Sequence, residues 1–151
     1  MAMQKTLIIL KPNAVKRNLV GKIIERFELK GLEILEMAAT HATREQLVEH
    51  YKEHEGKSFF ESTVNFMMSG KIVALLLRGK NAIEVGRTLI GGKGAESLPG
   101  TIRGDFCMCV GRNIIHGSSS ESDAAKEAKI WFPNFVEREV KIDDNLYEGE
   151  E

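Results

Sequence analysis

The sequence predicts an α+β fold, a ferredoxin-like split βαβ sandwich in which a four-stranded antiparallel sheet is covered by helices. Three observations predict it. Thr6 to Leu10 is a short apolar run, the pattern of a strand covered on both faces rather than one, and Ile72 to Leu77 is the longest later apolar run, within the most strand-like stretch of the chain. Between and after them stand stretches whose apolar residues recur at helical spacing. The strand, helix, strand units follow one another closely, so their crossovers are right-handed and the strands share a sheet. With 151 residues and 42% apolar content, the chain is expected to form one domain over residues 1–151, with a C-terminal tail from about 133 to 151.

Taken in order, Thr6 to Leu10 is the first strand, and Pro12 stops it. After a basic loop containing Lys16 and Arg17, Leu19, Ile23, Ile24 and Phe27 fall on one helical face, with Gly31 as the C-terminal stop. Leu32 to Thr40 reads as a second strand of mixed pattern. Thr43-Arg-Glu-Gln46 is a capping box, opening a helix with Leu47, Val48 and Tyr51 on one side. A short helix is expected from Phe59 to Met68. After the turn at Ser69-Gly70, Lys71 to Arg78 is the central strand, followed by a helix through Ile83, Val85, Leu89 and Ile90 that carries Arg87. Ile90 to Gly104 contains five glycines and no period, and reads as a long functional loop. Phe106 to Val110 reads as extended, with Cys107 and Cys109 on one face as ordinary core thiols. A short strand then carries His116, and a helix runs from about Ser120 to Phe132, ended by Pro133.

Net charge is −1, but the segment Glu137 to Glu151 holds seven acids against two bases, leaving the body at about +4. A mildly basic body suits an anionic substrate. The near-neutral total and the absence of a basic run leave nucleic-acid binding a secondary possibility. Two cysteines spaced i, i+2 in an extended run do not close a disulfide comfortably, which fits a reducing compartment. No export signal or membrane-length apolar run is visible, so a cytoplasmic location and no membrane partner are expected.

The stretch most suggestive of chemistry is Asn113-Ile-Ile-His116-Gly-Ser118-Ser119-Ser120. It brings an imidazole to the start of a helix, where backbone N–H groups and the helix dipole favour an anion. A neutral imidazole is a nucleophile without a separate base. A buried histidine with only local hydrogen bonds is the competing reading. Glu127, one helix further on, is placed to hold the ring directly or through Ser118, or else is one more exposed helical charge. Backbone phosphate-binding patterns are missing: no Gly-Lys pair has a glycine five positions before it, and Gly92-Lys-Gly94 lacks the third glycine of a dinucleotide fingerprint. A nucleotide site must therefore be made from side chains. Lys11, Arg87 and Arg103 stand at the ends of predicted elements, each an ordinary surface charge unless they converge on His116. His50 and His54, spaced i, i+4, lack the glutamate of the zinc-protease pattern and are expected to face solvent. Phe59-Phe60 reads as core, with one of the two available as a stacking surface for a base.

Several blocks of the chain, in order, resemble the nucleoside diphosphate kinase family: Ile9-Leu-Lys11-Pro12-Asn-Ala-Val15, Gly21-Lys-Ile-Ile-Glu-Arg-Phe-Glu28, Phe59-Phe60, Pro99-Gly-Thr-Ile-Arg-Gly-Asp-Phe106 and Asn113-Ile-Ile-His-Gly-Ser118. The resemblance implies that His116 takes the γ-phosphate of a nucleoside triphosphate, mainly ATP, as phosphohistidine and passes it to a nucleoside diphosphate in a ping-pong reaction tolerant of base and sugar. It implies Lys11, Arg87 and Arg103 as phosphate-binding cations, Tyr51 beside the histidine, Asn113 and Lys11 at the sugar hydroxyl, and Phe59 stacked on the base. Glu127 and Ser118 would orient the imidazole. Mg²⁺ would be the cofactor, held by the nucleotide phosphates with no metal site of the protein's own. The chain departs from the family pattern at Asn13 and Ser119, where aspartate is usual. It also departs at Lys93, which stands where a phosphate-touching threonine is usual, in a loop one residue shorter. The resemblance further implies a homo-oligomer, a hexamer rather than a tetramer. The alternative is a nucleotide-binding or scaffold protein whose turnover is reduced by the altered loop at Lys93.

Overall fold

The computed structural model describes residues 3–93, 96–110 and 113–138. Its sheet has four strands, β1 (Met3–Leu10), β2 (Glu33–Thr40), β3 (Ile72–Lys80) and β4 (Ile115–Gly117), in the order β2-β3-β1-β4 with every neighbouring pair antiparallel. This is the split βαβ arrangement predicted from the sequence. The helices are α1 (Pro12–Lys16), α2 (Val20–Leu29), α3 (Arg44–His50), α4 (Phe60–Met68), α5 (Ala82–Ile90), α6 (Ile102–Phe106) and α7 (Glu121–Trp131), with one 3₁₀ turn at Lys52–His54.

The apolar runs of β1 and β3 supply two cores at once. Ile8, Leu10, Val73, Leu75 and Leu77 join Ile23 and Phe27 of α2 and Ile90 of α5 on one face. Leu7, Ile9, Ala74 and Leu76 join Leu47 of α3, Val64 and Met67 of α4 and Trp131 of α7 on the other. Alternate side chains of a strand point to opposite faces, so a sheet covered on both sides requires an unbroken apolar run. His116 of β4 stands opposite Ile9 of β1. Directly paired residues share a face, so the imidazole is delivered to the α3 and α7 side of the sheet. A Cβ on Gly117 beside it would stand 2.6 Å from Ile90 Cδ1, so the Ile90 side chain would have to shift.

Several local expectations change. Pro12 does not only stop β1; it opens α1 at its first position, where the missing N–H is harmless and the fixed φ suits a helix. The stretch expected as uninterrupted loop ends in α6, capped by the Thr101 hydroxyl, which accepts from Gly104 N at 3.0 Å. Residues 107–110 form no strand: Cys107 is buried but Cys109 is exposed, so only one thiol is in the core. The tail expected from Pro133 begins by packing along β1, with Lys5 Nζ 2.9 Å from Glu137; residues 139–151 lie outside the described residues. No described helix is long and apolar enough to cross a membrane.

Candidate active site

The histidine is aimed by an unusual turn. Ile114 is buried with φ +56, a conformation a β-branched residue rarely adopts, and Ile115 N donates to Asn113 O at 2.7 Å across it. A three-residue turn with positive φ at its centre is the strained form of the γ-turn. It is held because Ile114 O accepts from Lys11 N at 2.8 Å and the Ile114 side chain is sealed in the core. The turn puts Asn113 where its Oδ1 accepts from Lys11 Nζ at 2.7 Å. Burial, with the charge of Arg103 adding to it, pulls the Lys11 ammonium down to about 8.

Behind His116 lies a carboxylate clamp. Ser118 continues the strand edge, its N donating to Leu7 O at 3.1 Å and its Oγ accepting from Leu7 N at 2.9 Å, while the hydroxyl donates to Glu127 Oε1 at 2.6 Å. Oε2 of the same carboxylate is 2.8 Å from His116 Nε2, an enclosed atom, though off the line of a hydrogen bond. Burial pushes the Glu127 carboxyl up, but His116, the Ser118 hydroxyl and His50 together outweigh it and leave the group below its ordinary range. The carboxylate is ionised at neutral pH. With Nε2 turned to Glu127, Nδ1 is the ring nitrogen left for a reaction.

His116 also forms part of the wall of a cleft of about 1000 Å³ that is lined by Arg87, Thr88, Gly91, Gly92 and Arg103. Arg103 leaves α6 and donates to Gly92 O at 2.9 Å and to Ile115 O at 2.9 Å. Arg26 of α2 anchors the same segment, donating to Gly100 O at 2.9 Å and pairing with Asp105 at 2.6 Å. Of the three cations predicted at the ends of separate elements, Arg87 and Arg103 thus share a cleft wall with His116, while Lys11 is not on that wall and is bonded to Asn113. Phe59 and Phe60 separate: Phe60 is buried, and Phe59 is 47% exposed beside His54 and Lys57. Tyr51 stands edge-on to His50 at 4.7 Å, and burial, then the Glu127 charge, pushes its hydroxyl up to about 12. Lys93 is exposed, and its side chain makes no hydrogen bond or ion pair with a described residue. Ser120 caps α7, accepting from Asp123 N at 3.1 Å, with Ser119 against Asp123.

One expectation is overturned. His50 does not face solvent: its side chain is 2% exposed, its Nδ1 accepts from Trp131 Nε1 at 3.1 Å, and its ring meets that of His116 edge-on at 4.6 Å. The i, i+4 reading assumed one continuous helix, but α3 ends at His50 and the 3₁₀ turn carries His54 elsewhere. His50, His116 and Glu127 stand close enough to hold a metal ion. The Trp131 N–H occupies Nδ1 of His50, however, so the neutral ring keeps its proton on Nε2, the atom facing Glu127. Two imidazoles and one carboxylate are also a poor set for Mg²⁺, which prefers oxygen ligands.

A family model described as nucleoside diphosphate kinase matches residues 4–136. The chain is 48% identical over 130 residues to the nucleoside diphosphate kinase of Drosophila melanogaster, covering 85% of each. It is 47% identical over 148 residues to that of Bacillus licheniformis, covering 96% of this chain and 100% of the relative. Among solved structures, the apo nucleoside diphosphate kinase from Encephalitozoon cuniculi superposes with a TM-score of 0.89 at 40% identity, covering 95% of this chain and 99% of that one. A halophilic nucleoside diphosphate kinase from Halobacterium salinarum, in complex with CDP, gives a TM-score of 0.89 at 34% identity, covering 97% of this chain and 100% of that one. With sequence and fold in agreement over nearly its whole length, the chain belongs to the nucleoside diphosphate kinase family and is a phosphotransferase.

Proposed function

We propose that the protein moves the γ-phosphate of a nucleoside triphosphate, mainly ATP, to a nucleoside diphosphate through a phosphohistidine at Nδ1 of His116. The observation that carries this is the clamp: Glu127, fixed by Ser118, lies 2.8 Å from Nε2, so the lone pair is on the nitrogen away from the carboxylate. In the first half-reaction Nδ1 forms a bond to the γ-phosphorus as the bond to the bridging β,γ oxygen breaks, and the electron pair leaves with the nucleoside diphosphate. In the second, a terminal oxygen of the acceptor β-phosphate attacks the phosphorus and the N–P electrons return to Nδ1. Glu127 balances the positive charge that the phosphorylated ring acquires. Arg87 and Arg103 meet the charge spread over the transferring oxygens. Lys11 and Asn113 serve the sugar hydroxyl, and Phe59 offers its exposed face to the base. A stacking surface reads no base edge, so broad nucleotide tolerance follows. Mg²⁺ arriving with the nucleotide neutralises phosphate charge. The Glu127 carboxylate, held by Ser118 and His116, is not offered to it.

Incubation with γ-labelled ATP tests the reading. An acid-labile, base-stable label on the protein that unlabelled dTDP removes is expected; its absence in protein that binds ADP overturns the mechanism and favours the scaffold alternative. That alternative rested on Lys93, which stands exposed rather than on the cleft wall.

Lys11 gives this site a pH dependence. Its lowered pKa means the charge is present below about 8 and fades above it, while a bound phosphate raises the pKa again. ADP affinity is expected to fall by up to about tenfold between pH 7 and 9, with proton uptake on binding near pH 8. Isothermal titration in buffers of different ionisation heat measures both. Lys11→Arg, charged throughout, removes the inflection.

The assembly is proposed to be a homo-oligomer, a hexamer rather than a tetramer; Leu98, Met108 and Val110, apolar side chains left exposed on the segments around α6, suit an interface between copies. A stable monomer in light scattering excludes it. A cytoplasmic location completes the proposal.

A further inference from the structure

We infer that His50 and Trp131 form a positioning pair that sets the Glu127 carboxylate and, through it, the tautomer of His116; the inference rests on the phosphohistidine reading above. Neither residue lines the cleft of Arg87 and Arg103. An indole N–H only donates, so Trp131 fixes a lone pair on Nδ1 of His50 and a proton on Nε2. That Nε2 is 3.7 Å from Oε2 of Glu127, the same oxygen that His116 Nε2 approaches at 2.8 Å. The distance is too long for a hydrogen bond as it stands. Contacts of this kind tighten when a reacting complex forms.

The carboxylate is thus bonded at Oε1 by the Ser118 hydroxyl and faced at Oε2 by two imidazole edges. Held this way it has one orientation, and that orientation asks for N–H on His116 Nε2. A wrong tautomer would put the proton on Nδ1 and remove the nucleophile. His50 suits the role because it stays neutral. The groups facing it are Tyr51 from its own chain segment, His116 from β4, Asp123, Glu127 and Trp131 from α7, and Lys11 from the end of β1. Burial, then the neighbouring His116, pushes His50 down to about 3 against the two carboxylates. A charged His50 would compete with His116 for Glu127; a neutral one donates without drawing off the charge.

The test combines nitrogen-15 NMR with rapid-mixing kinetics. In the wild-type protein His50 is expected to remain neutral with its proton on Nε2 between about pH 5 and 8. At saturating ATP, His50→Leu should form phosphohistidine about tenfold more slowly, the scale on which orienting partners of functional imidazoles act. Its ADP dissociation constant should change less than about twofold. His50→Gln, whose amide accepts from Trp131 and donates to Glu127, should recover most of the rate. Trp131→Phe should slow the step and let His50 populate the other tautomer. A charged His50, a proton on its Nδ1, or a wild-type phosphorylation rate in His50→Leu overturns the inference. If His50→Leu does not fold, the wild-type tautomer and Trp131→Phe decide. Failure of the wild-type protein to form phosphohistidine counts against the functional reading instead, and the tautomer measurement still judges the pair.

Discussion

Replacing His116 by alanine is expected to lower phosphate transfer by at least about 10⁴-fold, because the step loses its nucleophile rather than a stabilising contact. ADP affinity should change by no more than about threefold, since the cations proposed to meet the phosphates come from other elements. Arg87 is on α5, Arg103 on α6 and Lys11 at the end of β1; none depends on the imidazole for its place. The variant also reports on Glu127. The carboxyl sits below its ordinary range because His116, Ser118 and His50 together outweigh burial. With the imidazole gone, burial gains ground and the carboxyl pKa rises. A carboxyl depressed in the folded state stabilises above its unfolded pKa and loses that contribution as pH falls; the variant should therefore lose less stability on acidification than the wild type. Steady-state transfer to dTDP, ADP titration and urea melts at pH 4.5 and 7 measure the three effects. Retained transfer would mean direct passage between two bound nucleotides and would end the phosphohistidine account.

The fold was legible in the sequence where packing imposes a pattern on it. β1 and β3 are covered on both faces, so the alternation that marks most strands disappears and an unbroken apolar run remains. α2 and α5 show their period because one face is buried and the other wet. α6 shows none: its five residues are too few to repeat a period, and they are held by the Thr101 cap, a close approach of Gly104 to the Leu98 carbonyl and an Arg26 clasp from distant α2. The site divides in the same way. His116, Ser118 and Glu127 are close in sequence, and strand-to-helix geometry brings them together. The cations were legible as candidates only, since convergence is a property of the fold. His50 was misplaced because its burial depends on a helix that ends at His50 itself and on an indole 81 positions away. Helical spacing carries no trace of either.

Arg103 is expected to be the cation whose loss harms the protein twice. Its guanidinium spans three elements, joining α6 to Gly92 O after α5 and to Ile115 O beside His116, while its Nε is enclosed with no hydrogen-bond partner among the described residues. It therefore fixes the spacing between the cleft beside α5 and the histidine strand as well as carrying charge. Burial, with Arg87 nearby adding to it, already holds the guanidinium below its usual value, so a phosphate is a welcome neighbour. Arg103→Ala leaves the Ile115 carbonyl without its donor; a loss of about 2 kcal/mol and a Tm lower by about 4–8 °C are expected, with kcat/KM down about 10²- to 10³-fold. Arg103→Lys keeps the charge but not the fork, and a single ammonium does not reach both carbonyls and a phosphate. Its rate should stay within about tenfold of the alanine variant's. Arg87→Ala is the control: Arg87 is exposed on α5, so the rate should fall while Tm holds. Calorimetry and steady-state kinetics on the three variants separate the roles. An Arg103→Ala protein that melts like the wild type refutes the strut, and an Arg103→Lys protein with full activity refutes the fork.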